Sequence, residues 1–540
     1  MTTALHASPH TARRSRAGVA LGAALGAALV WLFLGVALFA RAMAQPFSHD
    51  EHQFIAAGWW LAKAGLLPYR DFPYHHMPYQ IPINALAVQL SPYVLLSGRV
   101  ISWLAAWISS GLLVAAVWGE FRQRSRLLAA AAAGAAALAF VCQPIVVYTS
   151  GQAWNHDGAS LLALAAVMVQ LRVIDSRASA RWGTVVGLLA GLAAGVRLSY
   201  AVLCPLLLVS AASIRAPRAE RWRNAARVLF GVFAAGIPAA ILLGIDPKAF
   251  AYGNVLYPEL NSLYRDVLRY WADNGLSSQI TFFAERVLAQ PANVALLGGA
   301  LTLGILGLST RPQDTRIRHR IALVFSSTVA LFLTAFAPNP TWTQYFFACV
   351  PFALLTCAVA AGRLDRPAPR WAALAVGAIV ALISIGGGTW DLPGLCRLQS
   401  PATWVPIQVH AFGQRLAEEV PVGPVLTLAP VLAMEGGLST YEAFVTGPFT
   451  WRVAHIIPEA NRRMVGWIGR DDLADYLADR PPTAIVTGLE TENDGFEPGE
   501  RGTLEEPLDG FAARAGYRLL AWTADFRGTE IRVWIAPGVP

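Results

Sequence analysis

The chain has 540 residues, with 42 Lys and Arg against 34 Asp and Glu, a net charge of +8, 55% hydrophobic residues and only 14% charged ones. A soluble protein carries about 25% charged residues, so this composition and a mean hydropathy of +0.46 exclude a wholly soluble chain and leave a membrane-embedded one with room for one small soluble domain. The positive balance does not point to nucleic acid, because apart from Lys63 and Lys248 the basic residues are arginines in short clusters between apolar runs, as topology signals are.

Arg13, Arg14 and Arg16 precede an apolar run reaching Ala40, longer than a signal-peptide core and therefore read as a retained anchor helix. A crossing needs about 20 apolar residues. Candidate spans are 18–40, 98–119, 127–149, 158–172, 183–196, 198–213, 225–245, 293–310, 320–337, 343–361 and 370–388, eleven in all. The loops between them alternate. One set is short and Arg-rich (Arg122/Arg124/Arg126, Arg172/Arg177/Arg181, Arg215 to Arg227, Arg311 to Arg320, Arg363/Arg366/Arg370); the other is long or poor in arginine (44–97, 150–157, 246–292, 338–342 and everything after 389). Basic loops stay cytoplasmic, which predicts a cytoplasmic N-terminus and an outer C-terminal region. Residues 78–96 are apolar too, but Pro78, Pro82 and Pro92 interrupt them, and counting them as a crossing would reverse every later loop; they are read as interfacial or re-entrant.

The first outer loop, 44–97, holds the densest chemistry. Ser48–Tyr79 carries Asp50, Glu51, Asp71, His49, His52, His75 and His76, and such a cluster at a bilayer surface points to chemistry on a polar group attached to a lipid. Ser48 and Glu51 have capping-box spacing, and Phe54, Ile55, Gly58, Trp59 and Ala62 recur at helical intervals. A surface helix with an apolar stripe on the membrane is predicted. Asp50 then sits in its first turn, where the positive helix end favours an ionised carboxylate able to take a proton. Glu51 is a second candidate, or a cap alone. Asp71, in Pro68–Phe72, either pairs with Arg70 or shapes a turn.

The second outer loop adds His156 and Asp157, the latter a second candidate acid or the N-cap of the following span. Gly195-Val196-Arg197 breaks the apolar run 183–213 into a hairpin of two short helices. An arginine there is expensive in lipid, and its guanidinium suits paired phosphate oxygens; snorkelling to the interface is its plainer role. Tyr345 opens an apolar span and is either a substrate contact or an aromatic-belt residue. Half of the ten histidines lie in these two loops. Imidazole serves metal ligation and proton transfer alike, but no HExxH-type spacing is present; a divalent metal stays open as a cofactor, and none is specified. The five cysteines form no CxxC pair, and only Cys396 lies near the polar C-terminal region, which therefore has no internal disulfide.

After about Leu392 charges return. Strand-like runs at Val425–Leu428, Ala484–Val486 and Ile531–Ile535 flank a helical stretch near Arg470–Ala478. The expected organisation is a polytopic α-helical domain over 1–390 and a small α/β extracytoplasmic domain over 391–540.

Taken in order, these features resemble the GT-C superfamily of integral-membrane glycosyltransferases, in particular the bacterial branch related to protein O-mannosyltransferases and lipid A aminoarabinose transferase. The likeness lies in Asp50-Glu51 opening a surface helix, Leu67–Phe72, a proline-tyrosine segment, Asp157 two spans later, the short hairpin with Arg197, and Gln344-Tyr345 leading to Pro351. It covers residues 1–360, and the first loop is its most specific part.

The resemblance implies a GT-C-like fold and a bacterial inner-membrane location. It implies a polyprenyl-phosphate sugar donor, inverting hexosyl or pentosyl transfer on the outer face, and a lipid, glycan or protein acceptor. It assigns Asp50 as the catalytic carboxylate, Asp157 as the second-loop acid and Arg197 as a contact of the donor phosphate. Tyr345, Tyr69, Arg70, Asp71, His75, His76 and His156 follow as substrate-binding candidates. His75-His76-Met77-Pro78 departs from the pattern, standing where many relatives have a lysine before proline. Two rival functions fit a polytopic chain: a transporter or lipid flippase, disfavoured by the concentration of polar residues in outer loops, and a non-catalytic scaffold, which leaves Asp50, Asp157 and Arg197 unexplained as a set.

Overall fold

The computed structural model describes residues 9–176, 182–214, 217–267, 275–310, 314–364, 367–388, 392–490, 503–523 and 530–538. Of the arginines named above, Arg177, Arg181, Arg215, Arg311 and Arg366 lie outside them.

The first helix, α1 (Pro9–Ala44), turns by 96° into α2 (His49–Ala64). Ser48 caps α2 with the full reciprocal box: its hydroxyl receives backbone N–H, and Glu51 accepts from the Ser48 amide at 3.0 Å. Then follow α3 (Gln80–Leu90), α4 (Val94–Phe121), α5 (Arg126–Cys142), α6 (Pro144–Thr149), α7 (His156–Ser176) and α8 (Trp182–Val196). After Arg197 the chain makes a 3₁₀ turn and continues as α9 (Leu203–Ala212) and α10 (Arg218–Ile245). Three short helices, α11 (Pro247–Ala251), α12 (Tyr257–Val267) and α13 (Leu276–Phe282), lie in the connection that follows. The bundle closes with α14 (Pro291–Ser309), α15 (Thr315–Thr334), α16 (Val350–Arg363, preceded by a 3₁₀ segment from Thr343) and α17 (Pro367–Gly386).

Every run predicted to cross the membrane forms helix. Among the described residues seven helices are long and apolar enough to cross, or eight with the bent α1–α2 pair; Arg126–Cys142, Trp182–Val196 and Leu198–Ala212 are apolar but shorter. The predicted span 127–149 is cut at Gln143-Pro144, where proline can only begin a new helix. The chain is a multi-pass membrane protein. The α8–α10 contact shows how short helices earn their place: a Cβ at Gly187 would collide with the Val228 carbonyl, and one at Gly231 with the Thr184 carbonyl. Small residues let the backbones touch where lipid supplies no hydrophobic drive. At the basic end of the bundle Glu120 binds Arg320 and Arg363 (2.6 Å), and Arg320 reaches Asp175 at 2.5 Å, tying α4, α7, α15 and α16 together.

Beyond Leu392 the helices are α18 (Leu392–Arg397), α19 (Val405–Glu419), α20 (Pro430–Glu435), α21 (Pro448–Ala454), α22 (Glu459–Met464), α23 (Leu473–Ala478) and α24 (Glu506–Arg514). A four-stranded sheet joins them: β1 (Val425–Thr427), β2 (Ala484–Thr487), β3 (Arg518–Thr523) and β4 (Glu530–Ile535), in spatial order β1-β2-β4-β3. β1 and β2 are parallel and the other pairs antiparallel. Three of these strands coincide with the predicted runs, and β3 is additional.

The expected membrane-facing stripe of α2 is corrected by its surroundings. Residues Glu51 to Trp60 are all buried, on every face. Phe54, Ile55, Trp59 and Trp60 share one apolar core with Val409, Leu428, Leu432, Trp451 and Val486, so the C-terminal region lies over the first loop. On the other side Gly58 packs on Asn84 of α3, whose amide donates to the Phe54 carbonyl at 2.8 Å.

Candidate active site

In chain order, α1 ends, α4 begins, α7 begins, α8 ends and α16 begins at one end of the bundle, opposite the arginine-rich turns. A cavity of about 450 Å³ opens there. Asp50, in the first turn of α2, lines it, together with His75, His76, His156, Arg197 and Tyr345. Residues of the sequence-derived set that come from five separate stretches are thus brought to one hollow.

Asp50 is half-buried, and among the described residues its carboxylate accepts no hydrogen bond. Its charge is felt by Arg197, Tyr257 and Tyr345. Arg197 is aimed rather than loose: its Nη1 donates to Asn155 Oδ1 at 2.8 Å, and Asn155 donates in turn to the Val196 carbonyl at 3.1 Å. The Arg197 guanidinium carbon also stands 5.4 Å from the centre of the Tyr345 ring, a cation–π arrangement that fixes both.

His75 stacks on Tyr257 with centroids 3.8 Å apart and 7° between planes, and its Nε2 lies 2.9 Å from the Thr450 hydroxyl. Burial holds His75 well below the usual imidazole range. His76 stacks on Phe54 at 4.9 Å; though water reaches its edge, enclosure by the cavity walls, with Arg197 nearby, lowers it to about 3. Both rings are neutral at physiological pH and serve as hydrogen-bonding and packing surfaces.

The remaining candidates stand outside the cavity lining. Glu51 is fully buried; its carboxylate receives Arg99 Nε and Nη2 at 2.8 and 2.7 Å, the Ala153 amide at 2.9 Å and the Ser48 amide. Asp157, 2% exposed, accepts the Gly151 amide at 3.0 Å and so holds the loop that presents Asn155 and His156. Tyr69, at φ 69°, donates to the His76 carbonyl at 2.5 Å and accepts from Asn254 at 3.1 Å. Asp71 pairs with Arg70 at 2.6 Å and accepts the Leu67 amide, a turn-forming arrangement; the Arg70 hydrogen bond holds its carboxyl below the usual carboxylate range. No three His, Cys, Asp or Glu side chains among the described residues are grouped to hold a metal ion.

Several lining residues escape sequence reasoning. Asn155, Asn254, Tyr257, Asn261 and Gln344 supply neutral polar groups. Behind this wall Arg452 of α21, 5% exposed, donates to Asn261 Oδ1 at 2.7 Å and to the Tyr257 hydroxyl at 3.2 Å. Asn155 carried a signal in its place beside His156-Asp157, and Gln344 in its place before Tyr345; Asn254, Tyr257, Asn261 and Arg452 gain meaning from contacts that cross almost two hundred residues.

No protein-family model and no curated protein matches the sequence. Solved structures do. The chain is similar to ArnT from Cupriavidus metallidurans bound to undecaprenyl phosphate, at 13% identity, covering 96% of this chain and 98% of that one with a TM-score of 0.58. It is also similar to the oligosaccharyltransferase of Archaeoglobus fulgidus in complex with Zn and sulfate, at 12% identity, covering 86% of this chain and 68% of that one with a TM-score of 0.51. At such identities the likeness concerns architecture, and it follows the full length of the chain, C-terminal region included. The chain therefore shares the fold of these two structures.

Proposed function

We propose that this protein is a membrane glycosyltransferase that moves a hexosyl or pentosyl unit from a polyprenyl-phosphate donor to a lipid, glycan or protein acceptor. Transfer takes place on the extracytoplasmic face of a bacterial inner membrane, with the N-terminus cytoplasmic and residues 391–540 periplasmic. The observation that carries the reading is the pairing of an unbonded carboxylate, Asp50, with a positioned guanidinium, Arg197, in one cavity of a GT-C fold. The binding of undecaprenyl phosphate by a protein of the same fold supports the donor class.

The proposed step is a single displacement. The acceptor oxygen or nitrogen attacks the anomeric carbon while the bond from that carbon to the phosphate oxygen breaks. The electron pair leaves with polyprenyl phosphate, and the acceptor proton passes to Asp50. Configuration inverts because attack and departure occur on opposite faces. Negative charge grows on the leaving phosphate, and Arg197, held by Asn155 and Tyr345, is set to meet it; such preorganised charge is often the largest catalytic term. His75, His76, His156 and Tyr345 contribute to the walls that receive sugar and acceptor. Glu51 and Asp157 act as positioning groups for the Asp50 turn and the Asn155 loop. The cavity lies at one end of the bundle, among helix ends, which favours group transfer over a transport path at mid-depth.

The direct test is Asp50→Asn in purified protein supplied with a labelled polyprenyl-phosphate sugar. A loss of transfer of at least a hundredfold, the scale of a general base, is expected; transfer at the wild-type rate removes Asp50 from the mechanism.

A further inference from the structure

A second and larger hollow, of about 670 Å³, opens at the opposite, arginine-rich end of the bundle between α7, α9 and α15. Its depth is apolar, walled by Ile174, Leu206, Val209 and Leu323. Its lining along α15 runs from Thr315 to Ser326, about 16 Å at 1.5 Å per residue, or roughly half the hydrocarbon thickness of a bilayer. Val209 is 63% exposed and opens the cleft sideways toward lipid.

The polar groups gather at the mouth. Arg316 and Arg318 are exposed there, and one turn deeper His319 Nε2 lies 3.0 Å from the Ser210 hydroxyl, which also accepts from Gln170 at 3.0 Å. No carboxylate lines the cleft among the described residues. The nearby acids are engaged elsewhere: Asp175 and Glu120 bind Arg320, Asp314 accepts the Arg316 backbone amide at 2.8 Å, and the Arg316 guanidinium donates to the Asp175 backbone carbonyl at 3.1 Å. The hollow thus combines a cationic rim at the membrane surface with an apolar trough of acyl-chain depth.

We propose that this cleft binds an anionic glycerophospholipid, its phosphodiester headgroup between Arg316 and Arg318 and one acyl chain along Leu206, Val209 and Leu323. Basic hollows between membrane helices on the cytoplasmic side recognise such headgroups, and the positive-inside pattern puts this mouth on that side. The site is separate from the Asp50 cavity and does not depend on the transferase reading.

The test uses full-length protein reconstituted in nanodiscs of equimolar phosphatidylglycerol and phosphatidylcholine, released, and weighed by native mass spectrometry to count retained lipid. Wild type should retain phosphatidylglycerol over phosphatidylcholine by about thirtyfold, the scale two arginines give at an anionic headgroup, and Arg316→Gln/Arg318→Gln should bring the ratio near one. Val209→Trp, which fills the trough and leaves the rim intact, should lower retention of both lipids. Equal retention by wild type, or an unchanged ratio in the double variant, overturns the proposal. Displacement of the lipid by equimolar glycerol 3-phosphate also overturns it, since the trough would then contribute nothing.

Discussion

Asp50 and Glu51 are neighbours with opposite fates. Asp50 faces the cavity, whereas Glu51 points into the protein and spends its carboxylate on Arg99 and two amides. Removing one member of a fully buried pair leaves the other charge uncompensated, at about 3–5 kcal/mol. Glu51→Ala should therefore lower the thermal midpoint in detergent sharply or prevent accumulation, while Asp50→Asn unfolds like wild type; equal midpoints would return Glu51 to the catalytic set. Asn155 makes a separate prediction. A hydrogen bond to a charged group is worth about 1.5–3 kcal/mol, so Asn155→Ala should raise KM for the lipid-phosphate donor about tenfold or more, with the acceptor KM little changed, in initial-rate kinetics. Spacing alone could not separate these roles. Asp50 was legible because a first-turn acid beyond the cap has no local duty. Glu51's duty lies with Arg99, 48 residues away, and nothing in the intervening sequence announces that meeting.

The helices were legible as elements because membrane thickness acts on the chain locally: a run either reaches the required length of apolar residues or fails to. That logic found helix in each of the eleven runs and placed the break at Arg197, but it joined α5 and α6 into one span and read residues 78–96, which hold α3, only as interfacial or re-entrant. It could not say that α2 would be covered on all sides, since its apolar stripe suits lipid and protein alike. Strand β3 was missed because its pairing with β4 is decided across the sheet. One buried acid in the C-terminal region offers an element-level test. Glu505, at the start of α24, accepts the Gly488 amide at 2.6 Å near Glu490, and burial raises its pKa from 4.5 to about 8. Between those values the folded form holds a proton that the unfolded form has lost, so folding stability falls as pH rises through this window. Glu505→Gln keeps the acceptor without the charge. Thermal unfolding should show little difference from wild type at pH 5 and a higher midpoint for the variant at pH 8; parallel curves would refute the assignment.

At the scale of the whole molecule, the C-terminal region backs the site wall. Arg452 braces Asn261 and Tyr257, and Thr450 meets His75. Arg452→Met, which retains much of the packing of the stem, should lower turnover about tenfold without moving the thermal midpoint; unaltered kinetics would make the contact merely structural. The division at residue 390 can be tested by truncation. A chain ending there bares the Phe54, Trp59 and Trp60 face of α2, and we expect it to be degraded or to aggregate in membranes, whereas a chain of two independent domains would leave residues 1–390 folded.

The shared core also constrains biogenesis. The segment that covers α2 begins at Val405, so more than three hundred further residues must be made before α2 can be covered. At roughly 5–20 residues per second that delay is on the order of tens of seconds. Throughout it a helix carrying Trp59 and Trp60 waits without its lid, the interval in which a chaperone on that side of the membrane would find its grip.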